Sequence, residues 1–263
     1  MDYYLYRKAW RYVGAPHREQ RLKTEAYRQL LKQGGLLVRN TYDYDQQEES
    51  NFWYISKDRF LGFEELTPKC RNKIRKANKH YSYRIIETKE LQEVGFHIYK
   101  ENLLSYDPKN DKVKKSDFMS FFIEGITECW GCFLADTDTM IGFAINYNWQ
   151  DACDYELMSI LPKYKHNTTY PYYGLIYAMN AYYLQKKQMK YVTDGTRTIT
   201  EHSQIQDFLI RNFNFRKAYC KLEVHYCWWL STAVKLLYPF RNIITLPRIK
   251  AILNMEAMKR GEK

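Results

Sequence analysis

The chain has 263 residues, of which 45% are hydrophobic and 27% charged, and its net charge is +11. This balance is that of a globular protein and excludes an intrinsically disordered chain. No stretch approaches the roughly 20 apolar residues of a membrane-spanning helix, and the first eight residues lack the apolar core of a signal peptide. We therefore expect a cytoplasmic location, with the six cysteines as free thiols.

The positive charge lies in three segments. Residues 1–33 carry eight Lys/Arg against three acids, residues 67–80 carry six and no acid, and residues 228–263 carry seven against two. The rest of the chain is therefore net acidic. Basic segments of this kind could bind nucleic acid, an anionic lipid surface or a polyanionic substrate, and solvated helix faces would show the same pattern.

The first 80 residues predict a helix, two strands and a second helix. A helix is expected over residues 17–33, ended by the glycine pair at 34 and 35. Strands follow near residues 35–41 and 52–56. Thr67-Pro68 then predicts the start of a basic helix that runs to about Lys79, because proline is tolerated in the first turn.

From residue 82 the predicted order is β-α-α-β-β-β-α-β-α-β. The expected elements are a strand at 83–87, a helix at 89–104, a helix from Ser116 to Glu128, strands at 129–135, 140–149 and 153–161, a helix at 171–187, a strand at 190–193, a helix from Ser203 to Asn212 and a long strand at 215–226. Short polar turns between the three central strands predict an antiparallel meander.

Three segments resemble the GNAT superfamily of acyltransferases. Residues 154–184 form a strand, a polar loop and a helix, and residues 190–219 form a short strand, a helix and the aromatic turn Asn-Phe-Asn-Phe at 212–215. Residues 66–79, LTPKCRNKIRKANK, are similar to the basic helix of FemAB-like members of the superfamily. Together with the order of elements, the resemblance covers residues 82–226, more than half of the chain.

The resemblance implies an α/β (α+β) fold, with a mixed sheet whose central strands splay apart, flanking helices, and N-terminal and C-terminal helical extensions. The expected domains are an N-terminal extension or remnant half-domain at 1–80, a GNAT-like domain at 81–227 and a basic amphipathic extension at 228–263. That last segment could contact a membrane surface peripherally, pack on its own domain, or contact a second subunit of a homo-oligomer.

In GNAT enzymes the crossover from strand to helix binds the pyrophosphate of acyl-CoA. Free amides and the dipole at a helix N-terminus favour an anion there. The resemblance therefore implies acetyl-CoA or another acyl-CoA as donor, bound by Ser159, Ile160, Leu161, Lys163, Lys165, His166, Asn167, Thr168, Thr169, Tyr173 and Gly174. The glycine-rich signature of the family is absent from this loop, where only Gly174 remains.

Acyl transfer to an amine requires a base for the amine, stabilisation of the oxyanion and a proton for the leaving thiolate. The resemblance places Glu156 where some GNAT members have their general base, and it places Asp194 and His202 at the same groove. His202 is the alternative base because its ordinary pKa is nearer neutrality. Tyr219 and Tyr173 are the candidate proton donors to the thiolate.

Thr196 and Arg197 are the candidate substrate ligands, since an arginine can hold a carboxylate or phosphate through two parallel hydrogen bonds. No metal site is expected. Cys129 and Cys132 have the spacing of half a zinc site, but no second pair of ligands has matching spacing. We therefore interpret them as cysteines of a buried or edge strand.

Three functions stay open at this point. The first is N-acyl transfer from acyl-CoA to an amine of a small molecule or of an amino-sugar or cell-envelope intermediate. The second is FemAB-like transfer of an amino acid from aminoacyl-tRNA, for which the basic segments are the reason. The third is a catalytically degenerate GNAT-like binding module, for which the missing glycine signature is the reason.

Overall fold

The computed structural model describes residues 3–6, 8–165, 167–199 and 204–262. The strands are β1 (Tyr3–Tyr6), β2 (Ala9–Tyr12), β3 (Leu37–Tyr42), β4 (Trp53–Lys57), β5 (Tyr81–Ile86), β6 (Thr127–Leu134), β7 (Met140–Asn148), β8 (Ala152–Ile160), β9 (Tyr191–Thr196), β10 (Arg216–Tyr219) and β11 (Lys221–Tyr226). The helices are α1 (Thr24–Lys32), α2 (Pro68–His80), α3 (Thr88–Leu104), α4 (Lys115–Met119), α5 (Pro162–Lys165), α6 (Pro171–Asn180), α7 (Gln204–Phe213), α8 (Trp228–Leu237) and α9 (Pro247–Lys259).

The chain divides into two compact units. The first unit comprises Met1–Ile55, Thr196–Phe208 and Arg216–Lys263, and the second comprises Ser56–Gly195 and Leu209–Phe215. This division differs from the three consecutive segments expected from the sequence, whose boundaries stay a prediction. Both units are discontinuous in sequence, which composition and charge do not reveal.

The first unit contains a four-stranded sheet in the order β1-β2-β3-β11. β1 and β2 are antiparallel, β2 and β3 parallel, and β3 and β11 antiparallel. One cluster of the core lies between this sheet and α9, and a second joins α8 to α9. The buried members of the two clusters are Leu37, Phe52, Cys220, Leu222, Val224 and Met255, and Leu230, Val234, Tyr238, Leu253 and Ala257.

The second unit contains a mixed sheet in the order β9-β8-β7-β6-β5, and the end of β4 lies beside β9. There the Ser56 hydroxyl donates a hydrogen bond of 3.3 Å to the carbonyl oxygen of Val192. β5 to β8 are antiparallel neighbours, which confirms the predicted meander, and β8 pairs with β9 in parallel. α3 packs on β6, β7 and β8, while α2 packs along α6.

The predicted cysteine environment in this sheet is confirmed. Cys129 and Cys132 lie in β6 with 1% and 0% of their surface exposed. Burial raises the pKa of the Cys129 thiol to about 11 and raises that of Cys132 further. In the described part of the chain, no group of three or more His, Cys, Asp or Glu side chains is arranged to hold a metal ion. Among those residues there is also no helix of the length and apolarity needed to cross a bilayer.

Two predicted helices are too long. The helix expected over 17–33 is confined to Thr24–Lys32, because Glu19 is buried and its carboxylate is hydrogen-bonded to Thr41, which holds the preceding segment in another conformation. The helix expected from Ser116 to Glu128 ends at Met119. Beyond it, the Thr127 hydroxyl bonds both the amide and the carbonyl of Ile123, and Gly125 takes a left-handed backbone with φ of +81°.

The predicted final strand at 215–226 is in fact two strands that belong to different sheets. β10 lies beside β4, whereas β11 pairs with β3. The chain changes sheet at the buried Cys220, whose amide donates to the carbonyl of Phe52 over 3.1 Å. β1 and β2 were not predicted, and the end of the helix predicted over 171–187 is a π-helical segment, Ala181–Lys186.

Candidate functional site

The first feature of the site is the place where β8 and β9 stop pairing, which we call the opening. Their parallel register covers three pairs, Ala152–Asp154 with Tyr191–Thr193, although β8 continues to Ile160. The pairing ends at a bulge, where Tyr155 and Glu156 of β8 lie opposite Asn146 of β7. A bulge bends its strand and redirects side chains. Residues 156–158 are partly exposed although β8 is an interior strand of the sheet, as an opening at this point requires.

Two carboxylates predicted from the sequence interact electrostatically next to this opening. Burial, and next the negative charge of Glu156, raise the pKa of Asp194 well above its ordinary value. Part of Asp194 is accessible to solvent, while protein atoms densely surround its carboxyl group. The neighbouring Tyr155 is buried and donates a hydrogen bond of 2.9 Å to Asn180 Oδ1. A carboxyl group that keeps its proton beside a second carboxyl group forms a pair suited to proton transfer.

The second feature is the crossover from β8 to α6. In this loop Asn167 Oδ1 accepts the Thr169 amide over 3.0 Å and also bonds the Thr169 hydroxyl, which in turn contacts the hydroxyl of Tyr81. Tyr170, the residue before α6, has a left-handed backbone with φ of +58°. The loop is thus held by its own side chains, and at least one amide that could bind an anion is already used.

Two lysines of α2 supply positive charge at the same place. Lys73 Nζ donates to the Tyr173 hydroxyl over 2.8 Å and lies 5.0 Å from the ring centre of Tyr170. Lys76 Nζ donates to the Thr168 hydroxyl over 3.3 Å. The sequence analysis treated the basic helix and the polar loop separately and missed that they are in contact. The sequence feature that could have indicated a shared anion site is the run of six basic residues without an acid at 67–80.

The two lysines predicted within the crossover have aromatic neighbours. Lys165 Nζ lies 3.3 Å from the ring centre of Tyr106 and donates to Asn102 Oδ1 over 3.4 Å. Lys163 Nζ lies 4.8 Å from the ring centre of Tyr164. The four lysines of α2 and α5, which we call the lysine cluster, are Lys73, Lys76, Lys163 and Lys165.

The remaining residues that were predicted to bind acyl-CoA, in and next to β8, make hydrogen bonds within the protein. The buried Ser159 hydroxyl accepts from Asn102 Nδ2 over 3.2 Å, and the Leu161 amide donates to Ile141 of β7 over 2.9 Å. Ile160 makes a backbone hydrogen bond to the hydroxyl of Tyr172, whose pKa burial raises.

Gly174 is required by packing. A Cβ atom at this position would lie 2.1 Å from the hydroxyl oxygen of Tyr83, so no larger residue fits without displacing that ring. Close packing of Tyr83 thus gives a physical reason for the one glycine that remains in this part of the chain.

Three other predicted residues lie in the first unit, where two of them contact Trp53. Arg197 donates to the carbonyl of Asn51 over 2.7 Å and lies 4.2 Å from the ring centre of Trp53, and burial lowers its pKa. The ring of Tyr219 meets Trp53 edge-on at 6.1 Å. The carbonyl of Thr196 accepts from Gln206 over 3.0 Å. His166 and His202 lie outside the residues that the structure describes.

No family model matches the sequence, and no curated protein matches it significantly. Solved structures do match the fold. FemX superposes with a TM-score of 0.54 at 10% identity, covering 81% of this chain and 71% of that chain. The C-terminal domain of a proposed lysylphosphatidylglycerol synthetase from Agrobacterium fabrum gives 0.50 at 10% identity, covering 89% and 83%. A tandem GNAT protein from the clavulanic acid pathway gives 0.45 at 10% identity, covering 83% and 75%.

These comparisons confirm the predicted fold. The chain has a mixed α/β fold, which it shares with FemX over most of its length. At 10% identity the likeness concerns the fold, because one fold supports many activities and function must be argued from the site.

Proposed function

We propose that this chain is a transferase that moves an acyl group from a phosphate-bearing donor to an amine, at the opening between β8 and β9. The observation that carries the proposal is the end of the parallel pairing at Asp154 and Thr193, next to which the charge of Glu156 acts on Asp194. A buried carboxyl with a raised pKa beside a second carboxyl is a common feature of sites that transfer protons.

Each carboxyl group has a separate role in this proposal. The amine nitrogen attacks the acyl carbonyl carbon and passes its proton to Glu156. The bond from that carbon to the oxygen or sulfur of the donor then breaks, and Asp194 supplies the proton that the departing group takes. A proton donor must remain protonated at the working pH, which the raised pKa of Asp194 favours.

For the donor, the contacts favour aminoacyl-tRNA, the donor that the FemAB resemblance implies. The lysine cluster presents side-chain ammonium groups, which suit the repeated phosphates of a nucleic acid. The Thr169 amide is bonded to Asn167, and the glycines that bring backbone close to a pyrophosphate are absent. Acyl-CoA, which the sequence alone placed first, is the second candidate, because the strands separate beside the N-terminus of α6.

The acceptor in this proposal is an amine of a small molecule or of an amino-sugar or cell-envelope intermediate. This acceptor class follows from the resemblance, and the end of the β8–β9 pairing beside Glu156 supports a place where such an amine would lose its proton.

The proposal is tested with tRNA charged with labelled amino acids, and with acetyl-CoA and palmitoyl-CoA. Filter binding and calorimetry measure affinity, and protein-dependent loss of the amino acid from charged tRNA reports reaction while the acceptor is unidentified. We expect charged tRNA to bind with an affinity that falls steeply with salt. Binding of the CoA thioesters alone would establish the second donor. If no donor binds to folded protein, the proposed function is wrong.

A further inference from the structure

A group of large apolar side chains at the C-terminal end of the chain is exposed to solvent. We call it the C-terminal patch, and it consists of Trp228, Trp229, Leu236, Phe240, Ile243 and Leu246. The exposed fraction is 82% for Trp228 and 77% for Ile243. Single exposed apolar residues are ordinary, but six within 19 residues of sequence indicate a surface that binds something.

The patch is distinct from the apolar face of α8 that is buried in the core. In α8, Leu230 and Val234 point into the core and pack with Leu253 and Ala257 of α9. Trp228 and Leu236 lie on the exposed side of the same helix. A surface helix normally has one apolar stripe and one polar face. α8 has apolar residues on both sides, so its second apolar face is not explained by the packing of α9.

Along the sequence of the patch, all charged residues are basic. Between Glu223 and Glu256 the sequence contains four Lys/Arg residues and no acid. Lys235, Arg248 and Lys250 are exposed, whereas Arg241 is paired with Glu262 over 2.8 Å. Exposed lysine is depleted at the core of protein–protein interfaces. Lysine and arginine interleaved with Trp, Phe and Leu are instead typical of segments that lie on anionic membranes.

We propose that the C-terminal patch binds the surface of an anionic phospholipid bilayer. Trp228, Leu236 and Ile243 enter the boundary between headgroups and acyl chains, and Lys235, Arg248 and Lys250 pair with lipid phosphates. The ten residues of α8 are too few to cross a bilayer, so the helix lies on the surface. This inference concerns attachment and does not depend on the proposed acyl transfer.

The test uses the whole chain and sedimentation with vesicles of phosphatidylcholine, either pure or with phosphatidylglycerol. One variant, W228S/L236S, removes apolar side chains, and another, K235E/R248E/K250E, reverses three charges. The matched controls are L61S, at an apolar residue that is 50% exposed outside the patch, and K89E/K112E/K115E, at three exposed lysines with the same change in net charge. Thermal melts establish that each variant is folded.

We expect the chain to bind vesicles with phosphatidylglycerol and to bind pure phosphatidylcholine weakly. Each basic residue near such a surface contributes roughly fivefold in affinity, so reversing three should lower binding on the order of 100-fold or more, and W228S/L236S should lower it at least about tenfold. Both controls should stay within about threefold of the parent. Equal losses in K89E/K112E/K115E, or no vesicle binding by the parent chain, would overturn the proposal. The proposal would also be overturned if the parent chain formed a dimer that does not bind vesicles and if W228S/L236S dissociated this dimer. The patch would then be an interface between two copies of the chain.

Discussion

Two carboxylates with raised pKa values, one in each unit, show how differently the same group can be held. In the first unit, Glu19 accepts the Thr41 amide and Asn40 Nδ2, each over 2.9 Å, and also bonds the Thr41 hydroxyl. In the second unit, Asp194 is under the electrostatic influence of another carboxyl group, Glu156. Burial raises the pKa of both groups.

After burial, the next-largest influence on the pKa differs between the two carboxyl groups. Around Glu19 the hydrogen bonds from Thr41 and Asn40 act against burial and favour the ionised form. Around Asp194 the charge of Glu156 acts in the same direction as burial and favours the protonated form. The first arrangement joins the segment before α1 to β3, whereas the second favours the protonated form of Asp194. We therefore interpret Glu19 as structural and Asp194 as reactive, and the comparison can be tested by substitution.

The largest effect is expected on activity. Glu156→Gln and Asp194→Asn preserve the shape of each side chain but remove its ability to exchange a proton. General acid–base catalysis contributes about 100-fold to 10,000-fold, so each variant should lose activity within that range in single-turnover acyl transfer from the donor identified by binding. Glu19→Gln should lose less than about threefold in the same assay.

The pH profile of the same reaction gives a sharper test. In the proposed mechanism Asp194 acts in its protonated form, so the rate should fall as the pH rises through the raised pKa of this group, above the ordinary range for aspartate. Asp194→Asn should lack this fall. The exposed Asp138, paired with Arg84 over 2.7 Å, provides the control, and Asp138→Asn should keep both the rate and the profile. An unchanged profile in Asp194→Asn would assign the proton donor to another group.

The next effect is on stability. Glu19→Ala leaves the buried Thr41 amide without its acceptor, at a cost of about 2 kcal/mol of unfolding free energy, while Asn40 Nδ2 keeps the carbonyl of Gln20 as an acceptor. Glu19→Gln keeps an acceptor oxygen and should cost less. Urea unfolding of both variants measures the difference. The comparison fails if Asp194→Asn destabilises the chain as much as Glu19→Ala does.

The order of elements could be predicted because each element has a local cause. Thr67 caps α2 by accepting the Cys70 amide over 3.2 Å, and short polar turns join β6, β7 and β8. The predicted ends of elements are wrong where residues distant in sequence determine them. Glu19 shortens the first helix through Thr41, and Cys220 ends a strand because Phe52 lies opposite. No local sequence pattern indicates that Thr41 is the partner of Glu19 or that Phe52 is the partner of Cys220.

Some residues of the candidate site could be predicted from the sequence, and others could not. The resemblance indicated both Glu156 and Asp194, and the charge of Glu156 contributes to the raised pKa of Asp194. The same reasoning did not place Lys73 and Lys76 beside the crossover loop, since α2 and α6 are about 100 residues apart in sequence and meet only by packing. Arg197 was expected to bind substrate, and its contacts with Asn51 and Trp53 suggest a structural role.

A smaller effect is expected on donor binding. Lys73→Gln/Lys76→Gln removes the two ammonium groups next to the crossover loop, so affinity for charged tRNA should fall roughly tenfold at low salt, and the salt slope should decrease by about 1.5. Arg75→Gln/Lys79→Gln removes the same charge from the same helix, where Arg75 contacts Asn72 and Phe63 instead. Equal losses in the two double variants would show that only the total charge of α2 matters.

The smallest effect concerns Tyr173, whose hydroxyl accepts from Lys73 over 2.8 Å and donates to Asn212 over 3.1 Å. Tyr173→Phe should cost about 1 kcal/mol of unfolding free energy. It should also lower donor affinity about threefold, because Lys73 is no longer fixed beside the loop. Tyr177, one turn further along α6, stacks on Phe63 at 4.8 Å, and Tyr177→Phe should change neither quantity appreciably. A loss of stability without a loss of donor affinity in Tyr173→Phe would restrict this tyrosine to packing and leave Lys73 to be positioned by the ring of Tyr170.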